Sequence, residues 1–229
     1  TQPYQGCTTT TPGSFIREMP RVLHSVPADW QSRLRAAVSP LESGVAHLQV
    51  RGYRPPGQGY YRPRKTAAVL VPLMDLDEPV VVLTRRADHL PQHAGQVSFP
   101  GGAAEVQDQT AVHTALREAF EEIGLPADKA TPVGFLDRLD TISDYRVLPV
   151  VALVEAPVIW LPDQREVAEV FTVPFAHIMN LDLYENRPVE QAGVKYPVWY
   201  LQYQSHTFWG VTAAMLLNLA MRYRDANND

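Results

Sequence analysis

The stretch GGAAEVQDQTAVHTALREAFEEIGL, residues 101–125, carries three glutamates within five positions, Glu118, Glu121 and Glu122. Arg117 is the only Lys or Arg among them. A helix is expected over about 110–123, with Thr110 as its N-cap and Gly124, before Leu125-Pro126, as its stop. Residues three and four apart share a helix face, so the three carboxylates form one patch. Like charges at that spacing cost roughly a few tenths of a kcal/mol per pair. The patch also lies in the last two turns, where the helix dipole disfavours anions. Both penalties vanish beside a hard divalent cation, which takes oxygen ligands, usually carboxylates together with substrate phosphates. Ala115, Leu116, Ala119, Phe120 and Ile123 supply the apolar side of the helix. Gly101 and Gly102 let the backbone turn sharply and approach a ligand closely. A glycine-rich loop feeding a charged helix is a phosphate-handling arrangement in unrelated folds.

Outward from this helix, strands and helices alternate. TAAVLVPLMD (66–75) and VVVLTRR (80–86) read as the two strands of a hairpin around the turn DEP. QVSFPGG (96–102) is a short extended piece ending in two glycines. Strands are expected at 132–138, 146–155, 166–173 and 194–203, a short helix near 174–180, and an apolar helix over 208–222. Trp30, Leu34 and Val38 mark a short helix over 28–38. Residues 1–14 have the composition of a disordered segment, and 51–65 that of a Pro/Gly/Tyr loop. This order suggests a mixed sheet packed between helices.

The chain has 229 residues, 45% of them hydrophobic, enough for one domain with additions or two small ones. A net charge of -5 and a pI near 5.8 argue against a general nucleic-acid binder. The charge is uneven. Residues 1–65 hold nine Lys/Arg against three Asp/Glu, and the rest holds 11 against 22. This reads as a solvated basic arm or as a basic arm near an anionic substrate. Cys7, the single cysteine, excludes an internal disulfide framework and fits a cytoplasmic setting. No apolar run reaches the roughly 18 residues a membrane helix needs, and the first residues lack a signal-peptide pattern. No membrane partner is expected.

The 101–125 stretch resembles the Nudix box, G-x5-E-x7-R-E-U-x-E-E-x-G-U, where U is aliphatic. Arg117, Glu118, Ala119, Glu121, Glu122, Gly124 and Leu125 match its second half. In the first half Asp108 stands at the acidic position counted from Gly102, and eight residues rather than seven separate it from Arg117. The longer box, with Thr114-Ala115-Leu116-Arg117-Glu118-Ala119, is similar to that of coenzyme A pyrophosphatases. That subgroup's upstream signature, L-L-T-x-R-S-x3-R-x3-G-x-V-x-F-P-G-G, is met by Leu83, Thr84, Arg86, Gly95, Val97 and Phe99-Pro100-Gly101-Gly102. Ala87 replaces its Ser and Pro91 its second Arg. The likeness spans about 66–222.

The resemblance implies an α/β fold, a Nudix-type α/β/α sandwich with a mixed β-sheet, over 66–229, with 1–65 as an N-terminal extension. It implies a pyrophosphohydrolase that uses Mg²⁺ or Mn²⁺ on a small-molecule nucleotide, coenzyme A or its acyl derivatives. Glu118, Glu121 and Glu122 would hold the metal, with one of the glutamates polarising water and a Gly101 or Gly102 carbonyl as a further ligand. Arg117 would hold a box carboxylate in its rotamer. Glu166 is the candidate for a carboxylate from outside the box, and Glu169 ranks behind it. Arg86 would contact a phosphate. His93 and Gln96 would touch substrate, or serve equally as loop hydrogen-bonders. Trp199, Tyr200, Phe208 and Trp209 are read as core rather than as an adenine platform, and His113 and His177 as helix-surface residues. A homodimer is expected. ADP-ribose, NADH or a dinucleoside polyphosphate is the rival substrate, and a non-catalytic Nudix-fold module the rival function.

Overall fold

The computed structural model describes residues 26–43, 65–141, 143–191 and 194–227. Cys7, the 1–14 segment and the 51–65 loop, apart from Lys65, lie outside them. The described elements run α1 (Trp30–Ala37), β1 (Lys65–Met74), β2 (Val80–Arg86), β3 (Val97–Ser98), β4 (Gly101–Ala103) and α2 (Ala111–Ile123). They continue with β5 (Ala130–Phe135), β6 (Leu139–Asp140), β7 (Tyr145–Val154), β8 (Val167–Pro174) and α3 (Phe175–Met179). β9 (Glu185–Gln191), β10 (Val194–Tyr203), β11 (His206–Trp209) and α4 (Gly210–Asp225) complete the order.

β1 and β7 are the axis of the sheet. They pair in parallel over ten residues, from Lys65 opposite Tyr145 to Met74 opposite Val154. Strands covered on both faces read as continuous apolar runs rather than as alternation, which is the character of VLVPLM and VLPVVALV. The other pairings are antiparallel, so the sheet is mixed: β3-β2-β1-β7-β5, with β4 on β1, β6 on β7 and β8 on β2. β9, β10 and β11 form a separate antiparallel sheet.

Alternate residues of the central strands serve two cores. Leu70, Val82, Val150 and Ala152 pack with Ala115, Ala119 and Ile123 of α2. Val71, Leu73, Val81, Leu83 and Val151 pack on the opposite face with Leu34 of α1, Phe175 of α3 and Leu216 and Leu219 of α4. The result is an α/β/α sandwich. Within it Asp137, 4% exposed, accepts from Arg222 Nη1 at 2.6 Å and from Asn218 Nδ2 at 2.9 Å. Arg222 Nε also donates to the Ala37 carbonyl at 2.7 Å, which ties α1 to α4. No helix among the described residues is long and apolar enough to cross a membrane.

Two expectations are corrected. Phe120 is not part of the apolar side of α2: it is 60% exposed, while Ala115, Ala119 and Ile123 are buried and Leu116 packs partly against the same core. The final helix begins at Gly210 rather than 208, since Phe208 and Trp209 belong to β11.

Candidate active site

α2 starts and stops on local chemistry. The Thr110 hydroxyl accepts the His113 N–H at 3.2 Å, and Gly124 leaves the helix with φ 69°, a left-handed conformation that glycine adopts without a Cβ clash. Between these caps the acidic turn is held against β4. The Gly101 N–H donates to Glu122 Oε2 at 3.2 Å. A Cβ built on Gly102 would lie 2.6 Å from Glu118 Oε1, so the backbone presses directly on that carboxylate. A Cβ on Gly101, whose φ is 157°, would lie 2.5 Å from the Ala68 carbonyl oxygen. The two glycines thus have separate jobs: one permits close pairing with β1, the other makes room for Glu118.

The three glutamates share a helix face but not an environment. The Glu122 side chain is 7% exposed, that of Glu118 16% and that of Glu121 57%. Burial pushes the Glu122 carboxyl up to about 8, against the Gly101 N–H and Arg86, which favour its charge. Burial also raises Glu118, with Arg117 opposing. Glu166 adds repulsion to both, so it belongs to the same negative field although it sits in the turn before β8.

Arg117 is the hub of the cluster. Its Nε and Nη2 fork onto the two oxygens of Asp108 at 3.2 and 2.9 Å. Nη1 reaches Glu118 at 3.0 Å and Glu121 at 3.1 Å, and Nη2 also donates to the Ala103 carbonyl at 3.1 Å. The Arg117 fork, helped by the Glu105 N–H, holds the Asp108 carboxyl far below the usual range. A planar guanidinium can serve several carboxylates at fixed angles, which an ammonium cannot.

Arg86 approaches from the end of β2, with Nη1 4.0 Å from Glu122 Oε1 and its buried Nε without a hydrogen-bond partner among the described residues. His93 Nδ1 pairs with Gln96 Oε1 at 2.9 Å, in a loop where His93 has φ 57°. Glu169 lies elsewhere, on Arg85 at 3.5 Å and His206 at 3.2 Å. His113 is exposed, whereas His177 bonds the Gln202 carbonyl at 2.9 Å. Of the four aromatic residues read as core, Phe208 is fully buried, Trp199 packs against the core, Tyr200 is half-buried and Trp209 is 44% exposed. The reading fails at Trp209 and Tyr200 because an apolar ring on a hairpin does not say which side of it is covered.

Among the described residues no three His, Cys, Asp or Glu side chains already stand together as a metal site. Glu121 is turned onto Arg117 and Glu122 onto Gly101. The donor chemistry nevertheless fits a hard divalent cation: the donors are carboxylate oxygens, and Glu122 is repelled by both Glu118 and Glu166, a repulsion a cation would relieve.

The NUDIX domain family matches residues 63–192, more than half of the chain. The chain is 40% identical over 158 residues to the uncharacterized Nudix hydrolase NudL of Yersinia pestis (strain Pestoides F), covering 69% of this chain and 79% of the relative. The same figures hold for NudL of Yersinia pseudotuberculosis serotype O:1b (strain IP 31758). Among solved structures, the MutT protein of Methanosarcina mazei Go1 is similar with a TM-score of 0.48 and 16% identity, over 75% of this chain and 100% of that one. RenU, a Nudix hydrolase of M. smegmatis, is similar with a TM-score of 0.41 and 28% identity, over 49% and 71%. This chain belongs to the Nudix family. It is a Nudix hydrolase, an enzyme that cleaves pyrophosphate linkages, and enzymes of this family use divalent metal ions.

Proposed function

We propose that this hydrolase cleaves the pyrophosphate of coenzyme A or an acyl-coenzyme A, giving 3′,5′-ADP and (acyl-)4′-phosphopantetheine. The observation that carries the reading is the continuity of the upstream signature with the longer box. Thr84, Arg86, Gly95, Val97 and Phe99–Gly102 run into Asp108 and the acidic helix, and the signature's Arg86 lies 4.0 Å from Glu122. The single cysteine fits action in the cytoplasm, and the family likeness favours a homodimer.

Each residue then has a task. Glu118, Glu121 and Glu122, with the Gly102 backbone oxygen and Glu166, would hold Mg²⁺ or Mn²⁺. Such a cation, when bound, neutralises the pyrophosphate oxygens and lowers the cost of charge on the leaving phosphate. Arg117 fixes the carboxylates of Glu118 and Glu121. Arg86, whose Nη1 stands 4.0 Å from Glu122, pairs with a phosphate oxygen. Gln96, oriented by His93, positions the substrate. One box glutamate takes the proton of the attacking water. The water oxygen bonds to one phosphorus, the bridging P–O bond breaks, and a phosphate monoester leaves.

Pro91, where the signature has its second arginine, favours a second reading: ADP-ribose, NADH or a dinucleoside polyphosphate as substrate. A product assay with Mg²⁺ or Mn²⁺ against coenzyme A, acetyl-coenzyme A, ADP-ribose, NADH and a diadenosine polyphosphate decides between them. Faster cleavage of the coenzyme A compounds is expected, and faster cleavage of any other member of the panel overturns the coenzyme A reading.

A further inference from the structure

A cleft of about 480 Å³ opens between the 94–97 loop and the hairpin of β10 and β11. Arg85, Gly95, Gln96, Tyr200, His206 and Trp209 line it. Its volume is in the range of small-molecule sites. Tyr200 and Trp209 are directly opposed across the ladder, and their rings are nearly parallel, 15° apart in plane with centroids at 6.5 Å. Trp209 remains 44% exposed, a large ring left in water at the mouth of a cleft. Two aligned flat surfaces suit a planar heteroaromatic ligand.

The polar groups of the cleft point the same way. His206 stacks on Phe171 with centroids 3.8 Å apart, which fixes its ring. Its Nε2 faces Glu169 Oε2 at 3.2 Å, so in the neutral ring Nε2 carries the hydrogen and Nδ1 is an acceptor. That Nδ1 is buried with no partner among the described residues, so His206 serves the cleft as a fixed wall. Arg85 does not make the cleft an anion site, since Asp88 at 2.8 Å and Glu169 at 3.5 Å neutralise it. The free cationic character lies one residue on, at Arg86, which faces Glu122. Where β2 pairs with β8 the register shifts between these two arginines. The Arg86 N–H also donates to the Gln96 carbonyl at 2.9 Å, which joins the cleft wall to the phosphate side.

We propose that this cleft receives the nucleobase of the substrate, with Trp209 and Tyr200 as the stacking surface and His206, fixed on Phe171, as part of its wall. This rests on the chain acting on a nucleotide, and holds for coenzyme A and for the rival dinucleotide substrates alike. It assigns specificity to a hairpin outside the box and its upstream signature.

The test is calorimetric binding of 3′,5′-ADP, AMP, ribose 5-phosphate and 4′-phosphopantetheine to the wild-type protein, Trp209→Ala and Trp209→Phe, beside hydrolysis kinetics. Base–aromatic stacking is strong enough that Trp209→Ala is expected to weaken 3′,5′-ADP and AMP about ten-fold or more, with KM rising in step. Trp209→Phe recovers most of the loss, and ribose 5-phosphate binds all three alike. Equal nucleotide affinity in wild type and Trp209→Ala overturns the proposal. So does a loss confined to 4′-phosphopantetheine, which would place the other half of the substrate in the cleft. If the wild type cleaves no member of the nucleotide panel yet binds AMP through Trp209, the substrate reading fails and the cleft assignment stands.

Discussion

Arg117 grips Asp108 with two parallel bonds, Nε to Oδ1 at 3.2 Å and Nη2 to Oδ2 at 2.9 Å, and leaves Nη1 for Glu118 and Glu121. The acid of the first half of the box therefore acts through the arginine of the second. Its side chain is 4% exposed and held ionised by that arginine, so it orients a partner rather than facing solvent.

Asp108→Asn keeps the shape and removes the charge, so Arg117 is expected to swing and release Glu118 and Glu121. Loss of an orienting group outside the ligand set typically costs about 10- to 100-fold in metal affinity or activity. A magnesium titration of turnover should show the half-saturating concentration rising more than substrate KM. An unchanged titration would remove Asp108 from this positioning role.

The two glycines before the helix should fail differently. At Gly102 the nearest atoms to an added methyl are those at the end of the Glu118 side chain, which can move aside. Gly102→Ala should keep its melting temperature and lose most of its activity. At Gly101 the same methyl meets the backbone of Ala68 and Val69 at 2.5 Å and the φ is 157°. Gly101→Ala should lose stability, by roughly 1–3 kcal/mol from overpacking. Melting curves beside turnover numbers separate the two, and similar behaviour would contradict the division of labour.

Much of this arrangement was legible in the chain. The Thr110 cap and the Gly124 stop depend on neighbours within four residues, and the hairpin of β1 and β2 on a dense β-branched run. What was lost depends on distant partners. Glu118, Glu121 and Glu122 read as one patch, but β4 covers Glu122 and leaves Glu121 in water. β9, ENRPVEQ, has no apolar alternation, and its extended form comes from pairing with β10, with Pro188 opposite Pro197. Trp209 read as core because its hydrophobicity is local and its exposure is not.

Glu122 makes stability depend on pH in the metal-free protein. Its carboxyl titrates at about 8 when folded, above its ordinary value of 4.5, so between these limits the folded state holds a proton that the unfolded state has lost. Stability then falls as pH rises through this window. Glu118, raised in the same direction, adds to the trend. In a chelator the melting temperature should drop on the order of 5 °C between pH 6 and 8.5. Magnesium should reverse the drop, because a bound cation favours the ionised form. Glu122→Gln should flatten the dependence, and a wild-type melting temperature that rises over this range would contradict the sign.

Arg222 and Asp137 offer a test of what joins α1 to the sandwich. Asp137 is 4% exposed and its charge is met by Arg222 at 2.6 Å and Asn218 at 2.9 Å. Arg222 in turn satisfies the Ala37 carbonyl and the Ser39 hydroxyl. Removing the arginine strands a buried carboxylate and two acceptors, which typically costs about 3–5 kcal/mol. Removing the charge of its partner as well costs less, because no ion is left unpaired. Arg222→Met is therefore expected to lower the urea midpoint sharply, and Asp137→Asn with Arg222→Met to recover part of the loss. The metal dependence of turnover should stay at the wild-type value in both variants, since this network packs on the α4 face of the sheet and the acidic helix on the other. A double variant less stable than Arg222→Met alone would mean that Asp137 is held mainly by Asn218 and the backbone, and that Arg222 contributes through packing.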